Sequence, residues 1–317
     1  MNILVTGGAG FIGSHLVDQL LEEGHRVTVI DRLSRGDKNI RQHMGNPLFK
    51  LIKMDIKDYD ALEPAVEGHD VIFHFAANAD IRHGLKNTRR DLDENIYATY
   101  NLLEAARHTG IKKFVFASSA AVYGEPDVFP TPEDYFPVQT SLYGASKLAA
   151  EGLIEAFCEG FGMQTWIFRF VSVVGERHPH GVTYDFVCKL QKNPKELEIL
   201  GNGRQRKSFL YVKDCVDGIL FGFRHAKEKV NIFNLGVEQY ITVKDVADIV
   251  TDEMGLTDVK YHFTGGERGW VGDAPFVWLS IERIKKLGWK PKVDIEEGIR
   301  RTVRWLLAHP HYYGGEK

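Results

Sequence analysis

The chain has 317 residues, 44% of them hydrophobic and 26% charged, a balance that suits a globular protein with one large α/β unit and a smaller lobe. A net charge of −3 supplies no basic field for nucleic acid, and no window is apolar over the about 20 residues a bilayer span needs, so neither partner is expected. Cys158, Cys188 and Cys215 form no Cys-x-x-Cys pair, which argues against a zinc site or a disulfide framework and fits a reducing cytoplasm; no metal is expected.

Residues Asn2–Thr6 form a short β-branched run, with no basic n-region or cleavage site to suggest a signal peptide. A glycine-rich turn follows, then helical spacing over Phe11–Leu21, a stop at Gly24, and a second strand, Arg26–Ile30, ending at Asp31. The alternation continues with a strand at Leu48–Met54, a helix at Ala61–Val66 and a strand at Val71–Phe75. A long helix over Asp91–Thr109 is followed by a strand at Lys113–Ala117, a helix at Tyr143–Phe161 and a strand at Gln164–Phe168. Non-alternating apolar runs between helices predict a Rossmann-type doubly wound parallel sheet with helices on both faces.

After Gly175 the chain becomes polar and rich in Pro and Gly. Ser208–Val212 and Asn231–Leu235 are expected to return to the main sheet, with a helix from Asp214 to about His225 between them. A helix at Val243–Met254 and a last one ending near His309 complete a smaller α/β lobe, expected to close over the sheet's carboxyl edge. The expected division is residues 1–173 plus about 208–235 for the dinucleotide domain, and about 174–207 plus 236–317 for the substrate lobe.

Two constellations carry chemistry. Gly7, Gly10 and Gly13 in TGGAGFIG sit between a strand and a helix, where they permit a tight turn and let backbone N–H groups, with Phe11 and Ile12 opening the helix, approach a pyrophosphate. Asp31 can accept from both ribose hydroxyls and would repel a 2′-phosphate, favouring NAD over NADP; the adjacent Arg32 works against that preference. Asp55 and Ile56 fall where an adenine would lie. The second constellation is Tyr143 and Lys147 in YGASK, four apart and so on one helix face, about 6 Å apart along the axis. A phenol with a pKa of about 10 is a weak base, and a neighbouring ammonium is expected to lower that value. The phenolate can then deprotonate a sugar hydroxyl while hydride leaves the same carbon. Ser118 and Ser119 follow a strand at the sheet edge where ligands bind, and a serine hydroxyl there can bond the reacting oxygen.

The order TGGAGFIG, Asp31, HFAA (74–77), Asn95, ASSAAVYG (117–124) and YGASK (143–147) resembles extended short-chain dehydrogenase/reductases, and within them UDP-glucose 4-epimerases, over nearly the whole chain. The resemblance implies a tightly bound NAD regenerated each cycle and C4 epimerisation of a nucleotide-diphosphate sugar through a 4-keto intermediate. It assigns Tyr143 as base, Lys147 to the nicotinamide ribose and Ser119 to the sugar oxygen. Phe75, Ala76, Ala77, Ser118 and Phe170 fall to the cofactor, with Asn95 supporting the site. Asn78, Ser172, Lys207, Tyr211, Arg268, Asp273 and Val277 fall to the substrate. It also implies a homodimer through the helices at 91–109 and 143–161.

Departures from the epimerase pattern fall on nucleotide positions. Phe170-Val171-Ser172 stands where relatives carry Tyr-Phe-Asn, Lys207-Ser208 where they carry Arg-Asp, and Trp270-Val271-Gly272-Asp273 where they carry Arg-x-Gly-Asp. Lys207 and Arg268 can supply the cations, although Lys is a point charge and not a bidentate fork. Val277, four after Asp273, stands at the position that gates sugar size, and a small residue there leaves space for a 2-acetamido group. Arg82, Arg177, His178 and His180 keep a uronic-acid substrate open. A 4,6-dehydratase needs an extra acid and base after the hydroxyl residue, where Ala120-Ala121 can move no proton. A reductase would release its cofactor, and a non-catalytic NAD sensor would not need Tyr143 and Lys147.

Overall fold

The computed structural model describes residues 1–81, 84 and 86–312. In chain order it runs β1 (Asn2–Thr6), α1 (Phe11–Glu22), β2 (Arg26–Asp31), β3 (Phe49–Lys53), α2 (Tyr59–Val66), β4 (Val71–His74), α3 (Thr88–Asp91), a π-helical turn (Leu92–Tyr97), α4 (Ala98–His108), β5 (Lys113–Ser119), α5 (Leu142–Phe161) and β6 (Gln164–Phe170). Then come β7 (Ser172–Val174), α6 (Val182–Lys192), β8 (Glu196–Ile199), β9 (Arg206–Lys207), β10 (Phe209–Tyr211), α7 (Val212–His225) and β11 (Val230–Leu235). The last segment holds β12 (Ile241–Thr242), α8 (Val243–Glu253), β13 (Lys260–Phe263), β14 (Phe276–Val277), α9 (Glu282–Lys285) and α10 (Ile295–Ala308).

The main sheet is a doubly wound parallel sheet of seven strands in the order β11-β6-β5-β4-β1-β2-β3. Its direction of winding reverses between β1 and β4, which pair in parallel with Thr6 opposite His74. Ligands of such sheets bind outside the carboxyl ends of the strands at that reversal. The core beneath is built from Leu4, Ile30, Ile72, Phe114 and Phe116 of the strands with Leu102, Leu103 and Ile154 of the helices, all fully or nearly fully buried.

The chain divides into two compact units. The first comprises Met1–Gly124, Phe136–Arg169 and Ile219–Phe233; the second, a smaller α/β unit, comprises Glu125–Tyr135, Phe170–Gly218 and Asn234–Lys317. In the second, α6, α8 and α10 pack on one another. Strands β12-β9-β14 form a small mixed sheet, and β13 pairs with β8 in parallel. Thr242 and Asp245 form a reciprocal cap that starts α8.

Two expectations need correction. Ser208–Val212 does not return to the main sheet: Phe209–Tyr211 pairs in parallel with Ser172–Val174 in a separate two-stranded sheet. A short buried apolar run carries no information about which neighbour it will pair with. The helix expected over Asp91–Thr109 is also not uniform, because the π-turn at Leu92–Tyr97 widens it. There the Thr99 hydroxyl donates to the Asn95 carbonyl at 2.6 Å, a bond that competes with the regular ladder.

Candidate active site

The turn after β1 shows why glycine is required. Gly7 has φ +71°, and a Cβ there would lie 2.5 Å from the Ala76 nitrogen, so the β1 and β4 ends approach too closely for any side chain. Gly10 opens α1 and makes no side-chain cap hydrogen bond, with Phe11 and Ile12 as the first helical residues; the backbone N–H groups of a helix N-terminus favour an anion. Gly13 faces the same turn, where a Cβ would meet the Gly7 carbonyl. At the end of β2 the Asp31 carboxylate accepts from the Ala9 amide at 3.1 Å and the Leu33 amide at 2.7 Å. Burial raises its pKa, opposed by those two hydrogen bonds. Asp55 is half-buried beside Lys57, and Ile56 is buried in the core.

Helix α5 carries Tyr143 and Lys147, the pair expected to do the acid–base work. The Ser141 hydroxyl accepts from the Gly144 amide at 3.0 Å and starts the helix; Gly162, with φ +63°, ends it. The Ser119 hydroxyl, at the end of β5, accepts from the Ala121 amide at 3.2 Å and lies near enough to the Tyr143 phenol to lower its pKa. One turn along, Lys147 donates to the Ala117 carbonyl at 2.9 Å and lies 4.7 Å over the Phe116 ring. The expected lowering of the phenol pKa by this ammonium is not what the geometry gives. Burial pushes Tyr143 up to about 12, opposed by the Ser119 hydroxyl and aided by the Asp91 carboxylate. Burial likewise pushes Lys147 down to about 8, against the raising influence of Glu151 and Asp91.

Beneath the pair lies a polar layer the sequence did not single out. Glu151, four beyond Lys147, accepts from Arg169 at 3.1 and 3.2 Å through Nε and at 2.6 Å through Nη2, and also from the Ser118 hydroxyl. Arg169 donates further to the Tyr123 hydroxyl at 2.8 Å. The spacing 143/147/151 was the available signal. Ser118 is thereby turned toward Glu151.

A second layer supports the π-turn. The Asn95 amide accepts from the Asn78 backbone at 2.8 Å and donates to the Ser146 hydroxyl at 2.9 Å, which in turn donates to the Tyr143 carbonyl at 2.8 Å. Asn78, expected at the substrate, turns its own amide to Asp91 at 2.7 Å. His74 lies fully enclosed between the Thr6 hydroxyl at 2.7 Å and the Thr99 hydroxyl at 2.9 Å. Because Thr99 donates onward to Asn95, its oxygen accepts from His74 Nε2, leaving Nδ1 to accept from Thr6. Burial, aided by the Lys147 charge, pushes His74 down to about 3.

The residues expected at the substrate's nucleotide belong mainly to the second unit. Lys207 donates to Asp273 Oδ1 at 2.6 Å and to the Ala274 carbonyl; Asp273 also accepts from the Gly269 amide at 3.0 Å. Arg268 is bound to Glu125 through both Nη atoms, a partner not expected. Tyr211 donates to Glu176 at 2.6 Å. Val277 is half-buried on β14, opposite Lys207, and Ser172 is exposed. Phe170, Phe75, Ala76 and Ala77 are buried or half-buried. The His178 and His180 rings lie 5.7 Å apart, and Arg177 has φ 65°. Arg82 lies outside the described residues. Among those residues no His, Cys, Asp and Glu group is arranged to hold a metal ion, and no helix is long and apolar enough to cross a membrane.

Residues 3–236 match the model of the NAD dependent epimerase/dehydratase family. The chain is similar to a crystal structure of a UDP-galactose 4-epimerase, at 40% identity and TM-score 0.87, covering 98% of this chain and 99% of that one. It is similar to the UDP-glucuronic acid 4-epimerase of Bacillus cereus, solved with UDP-glucuronic acid and NAD, at 29% identity and TM-score 0.90 over 97% and 99% of the two chains. A dTDP-glucose 4,6-dehydratase double mutant of Streptomyces venezuelae, solved with NAD bound, matches at 27% identity and TM-score 0.92 over 99% of each chain.

Proposed function

The chain belongs to the NAD dependent epimerase/dehydratase family, and on that premise we propose that it interconverts the C4 epimers of a UDP-sugar, glucose with galactose and their 2-acetamido counterparts. It is an NAD-dependent nucleotide-sugar epimerase. The observation that carries the finer assignment is the buried Tyr143 phenol beside Ser119, with Lys147 fixed on the Ala117 carbonyl one turn along.

The residues present fit the dinucleotide: an uncapped α1 N-terminus for the pyrophosphate and an acidic β2 end for the adenosine ribose. NAD bound there would supply a hydride acceptor and donor for C4 and a positive ring that favours the phenolate. Tyr143 removes the proton of the sugar 4-hydroxyl and returns it after the 4-keto sugar has turned over. Ser119 bonds the reacting oxygen and relieves the phenolate of its isolation. Lys147, held charged at neutral pH by a pKa of about 8, opposes the cost of placing an anion in a buried site.

Lys207 and Arg268 are assigned to the diphosphate, exchanging Asp273 and Glu125 for phosphate oxygens, and Val277 to the space for the acetamido group. A homodimer through the helices at 91–109 and 143–161 is supported by exposed Tyr97, Tyr100, Leu142 and Phe161. The free cysteines Cys158, Cys188 and Cys215 support a cytoplasmic location. Incubating the purified protein with UDP-glucose and UDP-N-acetylglucosamine, without added cofactor, tests the assignment: C4-inverted products are expected. A 4-keto-6-deoxy product would instead make it a dehydratase.

A further inference from the structure

The sequence leaves a conflict at the adenosine end of the cofactor site. Asp31 disfavours a 2′-phosphate, and Arg32, the next residue, is the side chain that would welcome one. The structure shows how Arg32 is committed. Its two terminal nitrogens donate to the two carboxylate oxygens of Glu94, Nη1 to Oε1 at 3.2 Å and Nη2 to Oε2 at 3.0 Å. Asp55 stands a further 4.0 Å from Nη1. Glu94 lies sixty-two positions away in sequence, on the π-turn. Its carboxylate also accepts from Arg90 Nε at 3.3 Å and is well shielded from solvent, whereas Arg32 is partly exposed.

A bidentate guanidinium–carboxylate pair spends the same planar fork that would grip a phosphate. The Glu94 charge lies beside it, where it would repel a phosphate dianion. On the other side of Arg32, Asp31 is held by the Ala9 and Leu33 amides, and swinging it away would break both of these part-buried hydrogen bonds. Beside Glu94 a groove is lined by Lys57, Asn87, Arg89, Arg90 and Asp93, in which Arg89 pairs with Asp93 and Lys57 with Asp55, while Glu94 serves Arg90 and Arg32.

We propose that Glu94 is a cofactor-selecting residue: by holding Arg32 in a two-point ion pair it makes the adenosine pocket refuse a 2′-phosphorylated dinucleotide. This rests on the assignment of NAD to the turn after β1. Glu94 acts through Arg32 and is a positioning residue.

The test measures dissociation constants for NAD⁺ and NADP⁺ on the full-length protein after exchange of bound nucleotide, for wild type, Glu94→Gln, and Glu94→Gln combined with Arg32→Leu. Glu94→Gln is expected to lower the ratio Kd(NADP⁺)/Kd(NAD⁺) by about tenfold, the scale of one charge-assisted hydrogen bond. Arg32→Leu in that background is expected to restore the wild-type ratio. A merely structural Glu94 would weaken both dinucleotides together and leave the ratio unmoved, which overturns the inference. So would a gain for NADP⁺ that survives loss of Arg32. A wild-type protein that binds neither dinucleotide would overturn the cofactor assignment and the inference together; one that binds NAD⁺ with a preference indifferent to Glu94 overturns the inference alone.

Discussion

Replacing Glu151 with Gln puts the layer under the acid–base pair to a quantitative test. The side chains of Glu151 and Arg169 are 2% and 8% exposed, and Glu151 accepts three contacts from Arg169 and one from Ser118. The amide can accept through one oxygen only and carries no charge, so the guanidinium is left buried without its counter-ion. Breaking a buried pair from one side costs about 3–5 kcal/mol. Urea unfolding followed by circular dichroism is expected to show a loss of that size for Glu151→Gln. Glu151→Gln with Arg169→Met is expected to recover part of it, because no charge then remains to be compensated. The same substitution removes a charge that raises Lys147, so Lys147 falls below its value of about 8 and the alkaline limb of kcat/KM moves to lower pH. A destabilisation under about 1 kcal/mol, or a double variant as unstable as the sum of the singles, would refute the reasoning.

Tyr143→Phe is expected to lower turnover by about a thousandfold while NAD remains bound, as read by absorbance of the released nucleotide and by product formation. His74, at about 3 in the folded chain against about 6.5 unfolded, binds its proton first in the unfolded state. Its contribution to stability is therefore complete above pH 6.5 and is lost as pH falls toward 3, at up to about 1.4 kcal/mol per unit. Comparing urea midpoints at pH 7 and pH 5, the acid slope is expected to flatten in His74→Gln. Val277→Tyr is expected to reduce kcat/KM for UDP-N-acetylglucosamine by about tenfold or more relative to UDP-glucose, from overpacking of the acetamido space.

The parts of the fold that were legible in sequence are those set by local rules. Gly7 at φ +71° and the stop of α5 at Gly162 are both dictated by residues within a turn of one another; the Ser141 cap that starts α5 was not singled out. The Tyr143–Lys147 spacing belongs to the same class. Long-range pairing does not. Glu151 reads as an ordinary helical glutamate until β6 delivers Arg169 beneath it, and β10 reads as another buried strand until Ser172–Val174 offers it an edge. The direction of the Tyr143 shift was missed for a related reason: spacing reports the neighbouring ammonium but not the depth of burial, and burial outweighs it.

The π-turn at Leu92–Tyr97 turns two adjacent residues toward different partners. Glu94 reaches outward to Arg32, and Asn95 reaches inward to Ser146 and the backbone that carries Tyr143. Deleting a single residue there would tighten the turn to ordinary α-helical pitch and remove the widening that presents Glu94 and Asn95 to their separate partners. Diversification of this segment is thus constrained to substitution: a shortened version would disturb the Glu94–Arg32 pair and the Asn95–Ser146 bond in the same step.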